Sequence, residues 1–295
     1  MKFGVCLPSY GNGLSKKALV ESAQVAEALG FHSVWTTDHI LVPKKHAHPY
    51  GNILDCLTAL AYVGAVTEKI QLGTSVLVLP LRDPIIVAKQ AATIDYLTEG
   101  RLILGTAVGW MEEEFDNLGA SFHDRGKRFE EAILMMRTLC RNEYPQFQGR
   151  YHKFSDATFK PTAANGPTIW FGGNSDAALR RAARLADGWH PVGIAIELYK
   201  EAVQKINSML PNGKEFTFSL RILVDLNGKA EPYQGSDGEP RSVIAGNRGQ
   251  VMQTIDGYRE AGLSHLACYF GDIDLEQLKR KMKQFAGEVL PCFEK

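Results

Sequence analysis

The sequence predicts an α/β fold, a (β/α)8 TIM barrel with insertions forming one domain over residues 1–295. Three observations carry this. Strand-like apolar runs and helix-like amphipathic segments alternate from end to end, about eight of each, with a single long excursion. The runs IQLGTSVLVL at 70–79 and RLILGTAV at 101–108 are apolar over most of their length, as expected of parallel strands buried on both faces. No G-x-G-x-x-G, Walker or G-x-S-x-G pattern is present, which weakens an open dinucleotide-binding sheet.

The elements follow in order. Lys2 to Leu7 is a strand ended by Pro8, and Ser9 to Gly13 is a loop. Ser15 can cap a helix whose Leu19, Ala23, Ala26 and Leu29 recur at helical spacing. Gly30 stops it, and the strand from Phe31 ends in Thr37, Asp38 and His39. In parallel α/β folds the carboxyl end of a strand is where chemistry sits, so Asp38 and His39 are candidate catalytic residues. The alternative is a polar turn with Asp38 capping a following helix. A polar loop, Leu41 to Asn52, holds His46 and His48; no nearby carboxylate completes a metal set, so no metal site is expected.

Asp55 to Thr67 reads as a helix, and Ile70 to Leu79 as one strand. Gly73 inside it suggests a bulge or a close backbone approach. Asp83 caps the next helix with Pro84 in its first turn, and the strand at 101–108 leads to Gly109 and Trp110. Glu112, Glu113 and Glu114 open a short acidic segment, and a long helix covers about Asp124 to Cys140. The excursion at 145–167 is punctuated by Gly and Pro; Tyr151 to Phe154 and Thr158 to Lys160 are its candidate hairpin.

Thr168 to Phe171 is a strand running directly into Gly172, Gly173, Asn174 and Ser175 and then a helix. Strand, paired glycines and helix N-terminus make an anion cradle, although a tight left-handed turn needs the same glycines. Asp187 to Pro191 is a short strand with His190 at its end. A helix from Ala195 to Leu210, a strand from Phe216 to Asp225 and a polar loop or lid at about 227–247 come next. Gln250 to Ala261, His265 to Phe270 and Leu275 to Val289 complete the alternation.

Composition narrows the function. Basic and acidic residues balance at 33 each, which argues against nucleic acid and anionic membranes as partners. The five cysteines are scattered, without a C-x-x-C pair, and no apolar run approaches a membrane span. The opening residues break at Pro8, too soon for a signal peptide, so a cytoplasmic location is expected.

Several stretches together resemble the bacterial luciferase-like monooxygenase family, including its deazaflavin-dependent oxidoreductases. They are Trp35 to Ile40, Leu72 to Leu77, Asp83-Pro84, Gly100 to Leu102, Gly109-Trp110 with Glu113 to Phe115, and Ile169 to Arg181 running on into Ala186 to Pro191. The likeness implies a flavin-type cofactor, coenzyme F420 or FMN, at the carboxyl ends of the strands, and a homodimer. It implies a non-proline cis peptide at Ser75–Val76 backing the ring, Glu113 at the ring edge, and Gly172, Gly173, Asn174, Ser175 and His190 around the cofactor. Asp38 and His39 would lie at the reactive face, with His39 handling a proton of a small-molecule substrate. Tyr10, His46 and His48 are candidates for substrate contact.

The Gly-Gly-Asn-Ser-Asp-Ala-Ala run and the Asp-Gly-Trp-His-Pro run look more like deazaflavin members, which favours F420 and hydride transfer over a reduced-FMN monooxygenase. Trp110 stands where the family's glucose-6-phosphate dehydrogenases carry Glu, and no phosphate-binding lysine lies near Val192-Gly193. The resemblance therefore does not extend to sugar phosphates. The rival readings are a flavin-binding protein without turnover and a metal-assisted hydrolase built on His39, His46, His48 and His190.

Overall fold

The computed structural model describes residues 1–162 and 166–293. Residues 163–165 of the expected excursion and the last two residues of the expected domain lie outside the described residues. Eight parallel strands close into a barrel: β1 (Lys2–Cys6), β2 (Ser33–Thr36), β3 (Gln71–Thr74), β4 (Leu102–Ala107), β5 (Thr168–Phe171), β6 (Gly188–Trp189), β7 (Thr217–Leu226) and β8 (His265–Tyr269). Closure is completed by two pairings, β6 with β7 (Phe218 beside Trp189) and β8 with β1 (Val5 beside Cys268).

Eight principal helices wrap it: α1 (Lys16–Ala28), α2 (Cys56–Gly64), α3 (Pro84–Leu97), α4 (Arg125–Arg141), α5 (Asp176–Leu185), α6 (Ile196–Asn207), α7 (Arg248–Glu260) and α8 (Leu275–Glu288). Their starts follow the side chains the sequence offers. Ser15, Asp55, Asp83, Ser175 and Asp274 each accept a backbone N–H of the first turn, and Asn247 with Gln250 forms a reciprocal capping box. Among the described residues no helix is long and apolar enough to cross a membrane.

The main core lies between strands and helices, and a second cluster fills the barrel axis. Trp35 dominates the axis. Its indole occupies the space left by Gly4 and Gly73, where a Cβ would come within 2.4 Å and 2.2 Å of the ring. Gly73 therefore serves the close approach of a side chain. Trp35 stacks on the His190 ring at 4.5 Å, and Trp170 packs against His265 at 5.2 Å.

Both imidazoles are fully buried and neutral. Burial and the charge of Arg221 hold His190 down to about 3, and burial first of all puts His265 well below its ordinary value.

Three segments differ from the sequence expectation. The strand expected at 70–79 is two pieces: β3 ends at Thr74, the Ser75–Val76 peptide is cis, and Leu77–Val78 resumes beside Thr106 and Ala107 of β4. Gly105 permits this, because a Cβ there would lie 2.0 Å from Thr74 O. The excursion's hairpin pairs Phe147–Gln148 with Lys153–Phe154 rather than using Thr158 to Lys160. Its turn is fixed by Glu131 of α4, which accepts the N–H groups of Arg150, Tyr151 and His152. The polar 227–247 segment is partly sheet: Tyr233–Gln234 pairs with Pro240–Arg241, and Val243–Gly246 pairs in parallel alongside the end of β7 with Ile244 buried.

Candidate active site

At the carboxyl ends of the strands a cavity of about 1060 Å³ opens. Asp38, His39, Ser75, Val76, Gly172, Gly173, Asn174 and Ser175 all line it. The alternation of strand and helix alone forces this convergence, since every strand delivers its last residues to the same rim. Two residues expected around the cofactor do not line the cavity. Glu113 is half-exposed outside the cavity and pairs with Lys45. His190 lies beneath the floor, fully buried.

His190 acts through Ser75. Ser219 Oγ donates to Trp189 O at 3.0 Å, so it accepts from His190 Nδ1–H at 2.6 Å. The neutral ring therefore accepts at Nε2, and the Ser75 hydroxyl donates to it at 2.9 Å. The Ser75 oxygen that lines the cavity is left as an acceptor.

One end of the cavity is the glycine cradle. Gly173 takes a left-handed φ of +96°, and Trp189 Nε1 donates to its carbonyl at 2.9 Å. Ser175 caps α5, whose amino end carries unpaired N–H groups and a positive dipole. Arg125 and Arg181 line this end as well. Arg181 pairs with Glu130 at 2.9 Å. Arg125 stacks on Phe122 at 3.6 Å and donates to two carbonyls, with no carboxylate at ion-pair distance among the described residues. Burial and the neighbouring Arg181 charge hold its guanidinium below the ordinary value.

The other end is built around His39. Its Nδ1–H donates to Glu114 Oε2 at 2.7 Å, and Glu114 Oε1 accepts Ile40 N–H at 2.6 Å and Leu41 N–H. Burial pushes the Glu114 carboxyl up, but the hydrogen bonds from His39, Ile40 and Leu41 outweigh it and hold it below the usual range. Glu114 is thus a carboxylate that fixes His39, whose Nε2 has no hydrogen-bond partner among the described residues. Tyr50 packs on the imidazole at 4.6 Å, and Trp110 meets it edge-on at 6.1 Å.

Asp38, the expected companion of His39, serves another bond set. Its Oδ2 accepts Val78 N–H at 2.9 Å, and its Oδ1 accepts Arg82 at 2.6 Å. Of the three candidates for substrate contact, Tyr10 and His48 line the cavity, whereas His46 packs against Trp110. Sequence reasoning passed over Glu114, Arg125, Tyr50 and Arg221. A signal existed for Arg221, a lone charge inside the apolar run SLRILV. For Glu114 only the fold could separate it from its neighbours.

The sequence profile of the luciferase-like monooxygenase family matches residues 1–227. A protein of Mycobacterium tuberculosis, itself uncharacterized, is 31% identical over 99% of this chain and 100% of its own. An F420-dependent glucose-6-phosphate dehydrogenase of Kineococcus radiotolerans is 27% identical over 92% of each chain. Among solved structures, a monooxygenase from Streptomyces bottropensis superimposes with a TM-score of 0.82 at 23% identity, covering 99% of this chain and 100% of that one. An F420-dependent secondary alcohol dehydrogenase in complex with an F420-acetone adduct gives 0.82 at 19% identity over 100% and 99%.

Proposed function

This chain belongs to the luciferase-like monooxygenase family and is an oxidoreductase; on that premise we propose that it uses coenzyme F420 to move hydride to or from a small organic molecule. The observation that carries the reading is the placement of a carboxylate-anchored histidine and an anion cradle on one cavity. The residues suit a ring cofactor with a phosphate. Val76 and Gly172 sit face to face, and a Cβ on Gly172 would come within 3.2 Å of Val76 Cγ2. The cradle, the α5 amino end and Arg125 together suit a phosphate.

When bound, the coenzyme supplies a ring carbon that takes or gives the hydride. The chain's residues supply position and a proton. Gly172, Gly173, Asn174 and Ser175 would hold the phosphate end, Val76 would lie against the ring, and the Ser75 oxygen would be available to accept a hydrogen bond from it. His39 Nε2 would take the proton of an alcohol, or return it in the reverse direction, while Glu114 would stabilise the imidazolium. The hairpin at 233–241 contributes Tyr233, Gln234 and Asp237 to the cavity wall and limits access of water.

Equilibrium titration with F420 and with FMN, each oxidised and reduced, tests the assignment. Micromolar or tighter binding of F420 with much weaker FMN is expected. A preference for reduced FMN would replace it with oxygenase chemistry, and binding of neither would sink it.

A further inference from the structure

Arg221 of β7 reaches across the barrel mouth and is almost entirely buried, yet it lines the cavity. Its Nη1 donates to Ser75 O at 3.0 Å and Thr37 Oγ1 at 3.2 Å, and its Nη2 donates to Tyr10 Oη at 2.8 Å. Tyr269 lies beneath the guanidinium, 5.3 Å from its ring centroid. Each of these contacts is neutral. Burial pushes the Tyr10 and Tyr269 phenols and the Cys6 thiol up, away from ionisation.

Among the described residues no carboxylate pairs with Arg221, although other largely buried arginines have one: Arg82 has Asp38 and Asp55, and Arg137 has Asp187. An arginine cannot shed its proton, and a dry unpaired guanidinium is unfavourable unless an anion completes it. The guanidinium's exposed part faces the cavity that it lines.

The cationic floor belongs to the His39 half of that cavity. Tyr10, which accepts from Arg221, packs on Tyr50 at 5.6 Å, and Tyr50 packs on His39. The phosphate cradle has its own cation in Arg125. We infer that Arg221 anchors a carboxylate of the substrate, so the molecules this chain turns over are small carboxylic acids. The assignment rests on the redox reading only in making the anchored molecule the substrate. Nη1 is committed to Ser75 O and Thr37 Oγ1, but Nη2 keeps a second N–H for a charge-assisted hydrogen bond to a carboxylate, and an amide at the same place lacks the opposing charge.

Calorimetric titration with acetate, benzoate and cinnamate, each against its amide, tests this on the unmodified protein with and without F420. At least one acid should bind roughly tenfold or more tightly than its amide, as expected for a charge-assisted buried contact. Arg221→Met should abolish that preference, and Arg221→Lys should retain part of it. No acid preferred over its amide overturns the inference. So does an Arg221→Met variant that loses F420 binding but keeps the acid preference, because the guanidinium then serves the cofactor. An acid preference without binding of F420 or FMN upholds the anchor while sinking the redox reading; F420 binding without acid preference does the reverse.

Discussion

His39 Nδ1 and Glu114 Oε2 lie 2.7 Å apart, joined across the barrel mouth from the loops that follow β2 and β4. The histidine's tautomer is therefore set by a residue 75 positions away in sequence. Replacing the carboxylate by an amide keeps the shape and removes the charge that stabilises a protonated ring. Glu114→Gln should lower kcat by roughly tenfold to a hundredfold, and His39→Ala by roughly 10²–10⁴. Neither should move the dissociation constant for the cofactor. Glu113→Gln, one residue away and outside the cavity, should leave both quantities unchanged. Steady-state kinetics on the three variants, paired with cofactor titration, separates these outcomes.

Acid should destabilise the protein through its axial imidazoles. His190 titrates near 3 when folded and near the ordinary 6.5 when unfolded. A depressed histidine leaves stability intact above about 6.5 and withdraws it as pH falls towards 3, because only the unfolded chain takes up the proton. Near pH 5 the cost is about 2 kcal/mol for this ring, with His265 acting in the same direction. Melting temperatures at pH 7 and pH 5 should differ more for the native protein than for His190→Asn. Equal differences would mean that the ring is not buried neutral.

The cradle can be tested without catalysis. Gly173 is held at a φ of +96°, where a side chain is disfavoured, and a Cβ would also meet Ala178 at 3.1 Å. Gly173→Ala should cost about 1–2 kcal/mol of stability and weaken binding of either phosphate-bearing cofactor. Denaturant unfolding and fluorescence titration read the two effects. Unchanged cofactor affinity would place the phosphate elsewhere.

Arg82 and Asp38 form a largely buried ion pair. Asp38 is buried and its oxygens are taken up by Val78 N–H and the guanidinium. Arg82→Met leaves that carboxylate uncompensated and should cost roughly 3–5 kcal/mol. Adding Asp38→Asn should recover part of the loss, a coupling that a thermal-shift double-mutant cycle detects. A role for Asp38 in proton transfer would instead appear as lost turnover in Asp38→Asn with an unaltered melting temperature.

Local chemistry made much of this legible before any coordinates. Cap residues such as Ser15, Asp55 and Asp83 announce helix starts, and apolar runs announce buried parallel strands, so the barrel follows. The glycine cradle and His39 follow from their places at strand ends. What stayed hidden depends on which long-range partner a side chain meets. Glu113 and Glu114 are adjacent and chemically identical, and only the packing of Phe115 beneath their short helix turns one outward and the other onto His39. Asp38 looks like a proton-transfer partner until Arg82, 44 residues on, claims it. The sequence puts His190 at a strand end, but its side chain turns into the axis, where Trp35 covers it.

The distribution of indoles gives the molecule an optical property. Of its four tryptophans, Trp35 and Trp170 are buried in the barrel axis and Trp189 in the strand–helix core, and Trp110 alone stands partly exposed on the cavity wall. The red edge of the intrinsic emission therefore belongs to one residue, 6.1 Å from the His39 ring. Excitation at the red edge turns that indole into a built-in reporter of occupancy at the His39 end of the cavity, while the blue component reports whether the barrel itself is intact.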